Sequence, residues 1–276
     1  MSQITLKSAA DVPLEELARL VTDAFDGYVG GTFNFSVPRL ADYFAGENIN
    51  LNLGRVVMRG DDAAGIALIA RQGWTSRLAL MGIVQAAQEK GIGTQAMNYL
   101  LDDARERGDK IYELECIEQN PRGLALYTRC GFEKVQRLVG YTARDPEGEA
   151  ADLETVDLTI MGRLLTLHGD ADLPWSASGP RIIRHGPPFM AYHLNGAYAC
   201  LTVNAEQERG ILWAVFTEPH LRKEGHATHL LKAIFAAHPG LGWTVPAFTP
   251  DRYAPLMTGL GFAISDITQF QMRCTL

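Results

Sequence analysis

Apolar positions along this chain recur with two periods that alternate. After a short opening strand at Ile4–Lys7, residues Leu14, Leu17, Ala18, Val21 and Phe25 fall at helical spacing, which predicts an amphipathic first helix. The glycines of Asp26–Gly31 end it. Val37–Phe44 reads as a second short helix and Leu51–Met58 as a strand, with a turn at Gly60–Asp62 leading to a partner strand at Ala64–Arg71. Leu78–Val84 is the next strand. Ile92, Ala96, Met97, Leu100 and Ala104 then mark one face of a helix that ends before Gly108, and Ile111–Ile117 alternates with the period of a strand. A helix over Ala125–Cys130 stops at Gly131, a residue suited to the left-handed cap, and Val135–Tyr141 returns as a strand.

Asp145–Asp152 is polar, carries Pro146 and Gly148, and reads as a boundary. From Leu153 to Gly186 no single period dominates. Order returns at Met190–Leu194 and Tyr198–Val203, which flank the hairpin turn Asn195–Gly196. Ile211–Phe216 is a strand, Ala227, Leu230, Leu231 and Ile234 line a helix, and Trp243–Phe248 is the following strand. This order repeats that of the first half, and so do particular residues. Gln88-Glu-Lys-Gly-Ile-Gly93 and Arg222-Lys-Glu-Gly-His-Ala227 each join a strand to an apolar helix, with Gly225 lying 134 positions after Gly91. Gly131–Phe132 recurs 130 positions on as Gly261–Phe262. A near-constant offset indicates internal duplication, giving two mixed α+β domains at 1–145 and 155–276.

Composition narrows the partners. A net charge of -7, from 32 acidic against 25 basic residues, provides no global attraction to nucleic acid or anionic lipid. The longest apolar runs, such as Ile66–Ala70 and Ala233–Ala237, are far short of a membrane span, and the N-terminus lacks a basic region followed by an apolar core. The chain is expected to be cytoplasmic. Cys116, Cys130, Cys200 and Cys274 form neither a metal-like cluster nor a dense disulfide pattern, so reduced thiols are expected. His226 and His229 lie close together without a third ligand at metal spacing, so no metal site is expected.

The two glycine turns carry the chemistry. Such a turn can present consecutive backbone N–H groups to a phosphate at a helix N-terminus. Neither the three-glycine dinucleotide pattern nor a Gly-Lys-Ser/Thr ending is present. Instead Gln88-x-x-Gly91-x-Gly93 after a strand, Asn120 after the next strand, and Ala125-Leu-Tyr127 before Gly131–Phe132 closely resemble the GCN5-related N-acetyltransferase (GNAT) superfamily. The resemblance implies that each half is a central mixed, largely antiparallel splayed sheet flanked by helices, and that the cofactor is acetyl-CoA. It places Ile83, Val84 and Gln85 along the pantetheine and thioester, and Gln88, Glu89, Lys90, Gly91, Ile92, Gly93 and Thr94 around the phosphates. It also sets Asn120 beside the pantetheine, makes Tyr127 the acid that protonates the departing thiolate, and puts Asp26 and Tyr28 in the region where this family builds its acceptor pocket.

In the second half Arg222, Gly225 and Ala227 satisfy the same cofactor turn. Yet Met257 stands four residues before Gly261, where Tyr127 stands four before Gly131, and methionine cannot donate a proton. Tyr253 can compensate only if the helix register differs. Three roles stay open for this half: binding a nucleotide without catalysis, completing a substrate pocket, or serving as a scaffold.

The function implied is transfer of acetyl from acetyl-CoA to a primary amine of a small molecule or peptide by direct attack. An ammonium group must lose a proton before it attacks the thioester, and the tetrahedral intermediate must then expel a thiolate. Glu113 and Glu115 share a strand face and Glu118 lies near that strand's end; Glu115 is the first choice of base. The alternative from another class is a non-catalytic acyl-CoA-binding regulatory or sensing protein. A monomer with a pseudo-dimeric domain pair and a homodimer are both compatible with the duplication.

Overall fold

The computed structural model describes residues 4–31, 33–88 and 91–276. The first half runs β1 (Thr5–Ser8), α1 (Leu14–Ala24), α2 (Val37–Glu47), β2 (Arg55–Arg59), β3 (Asp62–Gln72), β4 (Thr75–Ile83), α3 (Ile92–Glu106), β5 (Ile111–Ile117), α4 (Pro121–Arg129) and β6 (Glu133–Arg144). The second half runs β7 (Glu154–Val156), α5 (Leu158–His168), α6 (Gly179–Ile183), β8 (Met190–Leu194), β9 (Ala197–Asn204), β10 (Arg209–Thr217), α7 (His226–Ala237), β11 (Gly242–Pro250), α8 (Ala254–Gly259) and β12 (Ala263–Thr275). Two compact units result, one of Met1–Gln136 with Phe270–Leu276, the other of Arg137–Gln269. No helix among the described residues is long and apolar enough to cross a membrane.

Two boundaries differ from expectation for local reasons. α4 starts at Pro121, four residues earlier than its apolar pattern suggests, because Asn120 caps it: the Asn120 side chain accepts from the Gly123 N–H at 3.0 Å, and proline opens the first turn. β2 starts only at Arg55, since Leu53 and Gly54 donate back to the Asn50 carbonyl in a turn.

In unit 1, β1 to β4 form an antiparallel series, β5 lies parallel beside β4, and the chain's terminal segment follows β5. Leu17, Leu20 and Val21 of α1 and Leu40 of α2 bury against Val56, Ile66 and Leu68. A second core joins Met97, Leu100 and Leu101 of α3 to Tyr112, Leu114, Phe132, Met272 and Cys274. The terminal segment is tied further by the Leu276 N–H to the Lys110 carbonyl at 3.0 Å and by Arg273 to Glu113 at 2.6 Å.

In unit 2, β7 to β10 are antiparallel, β11 is parallel to β10, and Arg137–Arg144 runs antiparallel beside β11. Leu230, Leu231 and Ile234 of α7 pack on Leu201, Leu212 and Trp243, while Met161 and Leu165 of α5 pack on Tyr198 and Phe216.

Both units share one irregularity, and it makes the clefts. β4 pairs with β5 only from Thr75 to Leu78, and β10 with β11 only from Arg209 to Ile211. Just where each parallel pairing ends, the central strand carries an extra residue. Ala79 falls between the pairs Leu78↔Ile69 and Leu80↔Leu68, and Trp213 between Leu212↔Leu201 and Ala214↔Cys200. A bulge bends and overtwists its strand, which carries the remainder of β4 and β10 out of ladder with the parallel neighbour.

Asp109 anchors the other end of the unit 1 strands. Its side chain is fully buried and accepts from Arg71 at 2.7 Å on β3, Ser76 at 2.7 Å on β4 and Arg107 at 3.1 Å after α3. Burial alone would raise this carboxyl, but the hydrogen bonds from Ser76, Arg71 and Arg107 overcome it and hold it below the usual carboxylate range. Its stabilisation is therefore complete above the unfolded value of about pH 4 and is lost as pH falls through the depressed folded value. Asp109→Asn is expected to cost about 2 kcal/mol at pH 7 and to weaken the loss of stability as pH falls below about 4, checked by urea unfolding as a function of pH.

Candidate active site

The glycine turn of unit 1 is built by the chain's own backbone needs. β4 ends at Ile83, the Val84 N–H donates to the Ala64 carbonyl at 3.0 Å, and Gln85–Ala87 make a single tight turn. The Gln88 side chain then folds back and donates to the Ile83 carbonyl at 3.0 Å. Gly91 takes φ +69, a conformation L side chains rarely adopt, and opens α3 without any side-chain cap. The first helical bond runs from the Gln95 N–H to the Gly91 carbonyl at 3.1 Å, so the N–H groups of Ile92, Gly93 and Thr94 have no partner within the helix. Glu89 and Lys90 lie outside the described residues.

The loop after α1 closes over the far end of both parting strands. A Cβ on Gly82 would stand 2.7 Å from the Phe25 ring, and one on Gly30 would stand 2.7 Å from the Ile117 side chain, so glycine at each position lets loop and strand meet. Tyr28 rests edge-on to Phe25 with ring centroids 5.1 Å apart, and its hydroxyl is hydrogen-bonded to the Asn120 side chain. Burial, the largest influence, raises that hydroxyl above the ordinary tyrosine value. Tyr43 donates to the carbonyl of the bulged Ala79 at 3.1 Å. Asp26 is exposed in the turn that follows α1.

Tyr127 projects from α4 with its ring 5.9 Å from Phe132. Burial drives its hydroxyl far above the ordinary range, and Cys116 and Tyr28 are near enough to add to the shift. It therefore stays protonated at any working pH. Tyr28, Asn120 and Tyr127 are thus gathered at one place, which links an expected acceptor residue, an expected cofactor residue and the expected acid.

Glu115 has a different setting from that of an exposed base. Arg77 donates to its carboxylate from Nε and Nη2, both at 2.8 Å, and to Glu47 at 2.9 Å, with all three side chains about one-tenth exposed or less. Burial pushes the Glu115 carboxyl up against the pull of Arg77. Glu113 on the same face serves Arg273 at 2.9 and 2.6 Å.

Unit 2 repeats the turn bond for bond. Arg222 Nε donates to the Thr217 carbonyl at 3.1 Å, as Gln88 does to Ile83, Gly225 takes φ +89 at the start of α7, and the first helical bond is His229 N–H to Gly225 at 3.0 Å. Ala227 follows in the first turn of α7. The last helices also keep one register: the Phe262 N–H reaches the Met257 carbonyl and the Phe132 N–H the Tyr127 carbonyl, each at 3.0 Å. Met257 therefore occupies the place of Tyr127, and Tyr253, next to the first residue of α8, stands four residues before it, where Asn120 stands seven before Tyr127. The Tyr253 hydroxyl donates to Asp170, a residue the mixed pattern of 153–186 did not single out.

Between the parted β10 and β11 of unit 2 lies a cavity of about 590 Å³, walled by Leu212, Phe216, Val245, Leu256 and Met257 with Arg222 and Arg252 at its rim. That size suits a drug-sized ligand, for which pockets of roughly 300–1,000 Å³ are usual.

Residues 18–132 match the acetyltransferase (GNAT) family. No curated protein matches the chain. A GCN5-related N-acetyltransferase from Sphaerobacter thermophilus is 13% identical, with a TM-score of 0.69 over 99% of this chain and 95% of its own. A tandem GNAT protein from the clavulanic acid biosynthesis pathway, solved without acetyl-CoA, is 13% identical at a TM-score of 0.65, covering 99% of this chain and 98% of its own. A GCN5-related N-acetyltransferase from Anabaena variabilis is 16% identical at 0.64, with 98% of this chain and 72% of its own covered. These likenesses establish a shared fold.

Proposed function

We propose that the chain is an acetyl-CoA-dependent N-acetyltransferase whose working site is the cleft of unit 1, a reading supported by the match of residues 18–132 to the GNAT family. The observation that carries this reading is the gathering of Tyr28, Asn120 and the protonated Tyr127 at the end of a strand that a bulge at Ala79 has released from its neighbour. The cleft fits an extended thioester cofactor: β4 lacks a β5 partner beyond Leu78, and the uncapped N–H groups at the start of α3 await an anion.

In this reading Ile83, Val84 and Gln85 lie along the pantetheine, and the segment from Gln88 to Thr94 holds the phosphates. Bound acetyl-CoA supplies an activated acyl group and a thiolate leaving group. Asn120, fixed by the Gly123 N–H and by Tyr28, orients the cofactor arm, and Tyr127 gives its proton to the departing sulfur. Asp26 and Tyr28 border the acceptor. Glu113 and Glu115 each serve an arginine, which makes Glu115, the first choice of base, a structural partner of Arg77.

We take the acceptor to be a small-molecule or peptide amine in the cytoplasm, a cationic class that the acidic balance of the chain favours. The test is release of free thiol from acetyl-CoA across a panel of primary amines and short peptides, with product mass measured. Acceptor-dependent release with a gain of one acetyl group is the expected result. Binding of acetyl-CoA with no turnover on any amine would favour the sensing alternative, and no binding would end the cofactor assignment.

A further inference from the structure

Five aromatic rings of unit 1 are joined in one array by the segment that leaves α1 and enters α2. Ring centroids are 5.1 Å apart for Phe25 and Tyr28, 4.7 Å for Phe25 and Phe33, 5.8 Å for Tyr28 and Phe33, 6.3 Å for Phe33 and Phe35, and 5.6 Å for Phe35 and Tyr43. Both ends of the array are fastened to the cleft. The Tyr28 hydroxyl is hydrogen-bonded to Asn120, and the Tyr43 hydroxyl donates to the carbonyl of the bulged Ala79 at 3.1 Å. Rings that serve only as core close up out of water, as Tyr112 and Phe132 do in the other core of this unit. Here only Phe25 is buried, while Tyr28, Phe33, Phe35 and Tyr43 stay half-buried. Every pair in the array is tilted or edge-on rather than stacked, so the rings do not cover one another's faces. The array also suits a cation: the Arg39 guanidinium stands 5.4 Å from the centroid of Phe35, and Asp26 is exposed two positions before Tyr28.

Resting on the reading of unit 1 as the transferase site, we propose that its acceptor is a primary amine carried on an aromatic ring by a short saturated linker. The ring of the acceptor lodges among Tyr28, Phe33 and Phe35, and its ammonium group, drawn by Asp26 and the ring faces, lies toward Tyr28 and Asn120. A saturated ring of the same size gains only the burial of its surface there, whereas an aromatic one adds edge-to-face contacts. In the transfer the ammonium first releases a proton to solvent, and its nitrogen then bonds to the acetyl carbon. The C–S bond breaks with its electron pair going to sulfur, and the thiolate takes the Tyr127 proton. The second proton of the nitrogen restores Tyr127, leaving a neutral N-acetyl amide and coenzyme A.

Two amines of similar size and shape test this on the full chain, 2-phenylethylamine and 2-cyclohexylethylamine. Their binding is measured by calorimetry in the presence of coenzyme A, and acetyl transfer by thiol release with product mass. The wild type is expected to bind the phenyl compound about tenfold more tightly and to acetylate it with a kcat/KM about tenfold higher, the difference lying in KM. Phe33→Leu keeps apolar bulk at the centre of the array but removes its ring, and should bring both ratios to about one. Thermal unfolding confirms that the variant is folded, and Phe35→Leu takes its place if it is not. A wild type without preference for the phenyl compound, or a preference unchanged in the folded variant, would overturn the proposal. Were the transferase reading wrong instead, neither amine would be acetylated, while the preference in binding would persist and still depend on Phe33.

Discussion

Replacing Tyr127 with phenylalanine is expected to lower kcat about 100-fold while changing the KM for acetyl-CoA little, because the loss falls on proton donation to the leaving thiolate rather than on binding. The ring would keep its packing against Phe132, so stability should hold. The raised hydroxyl makes a specific kinetic claim. An acid that stays protonated through the neutral range adds no limb to the pH profile there, so any fall in rate toward low pH belongs to the base and the acceptor amine. Steady-state and single-turnover kinetics of the variant check both points. A loss confined to KM, with kcat intact, would remove Tyr127 from the chemistry.

Arg77→Met is expected to produce the largest change in stability, about 3–5 kcal/mol at pH 7, because two buried carboxylates lose the cation they share. The pH dependence has a definite sign. Glu115 already has a carboxyl pushed upward by burial, and without Arg77 it would favour the protonated form still more. A raised acid in the folded state loses stability as pH rises through the unfolded value of about 4.3, so the variant should recover part of its deficit near pH 4. The triple change Glu47→Gln, Arg77→Met, Glu115→Gln should be far less damaging than Arg77→Met alone. Urea unfolding at pH 4 and pH 7 measures all of this. A single variant within 1 kcal/mol of wild type at both values would show that the triad holds little.

The chemistry that sits in one stretch of chain was legible. The turn ending in Gly91 and Gly93, Asn120, and Tyr127 four residues before Gly131 are local patterns, and their backbone bonds follow from capping and left-handed glycine geometry. The register of α8 likewise follows its pattern, with Met257 in the place of Tyr127. What was not legible depends on distant partners. Strand parity put Glu115 on a face with Glu113 but could not show that Arg77, 38 positions away, would claim its carboxylate. The bulges at Ala79 and Trp213 appear only when strands are paired. Asp170 follows a helix whose apolar residues surround it on most sides, with Ile160 and Leu167 exposed and Met161 and Leu165 buried, so no clean stripe marked the segment. β12 escaped for a similar reason, since its exposed and buried residues do not alternate along most of its length.

The terminal segment of unit 1 bears on how this protein comes into being. Met272 and Cys274 belong to the same core as Tyr112 and Phe132, yet they leave the ribosome after every residue of unit 2 has been made. The strand beside β5 is supplied last, so unit 1 must wait through the synthesis of more than a hundred residues with that edge of its sheet uncovered. The half that we assign to catalysis is then completed only after its companion.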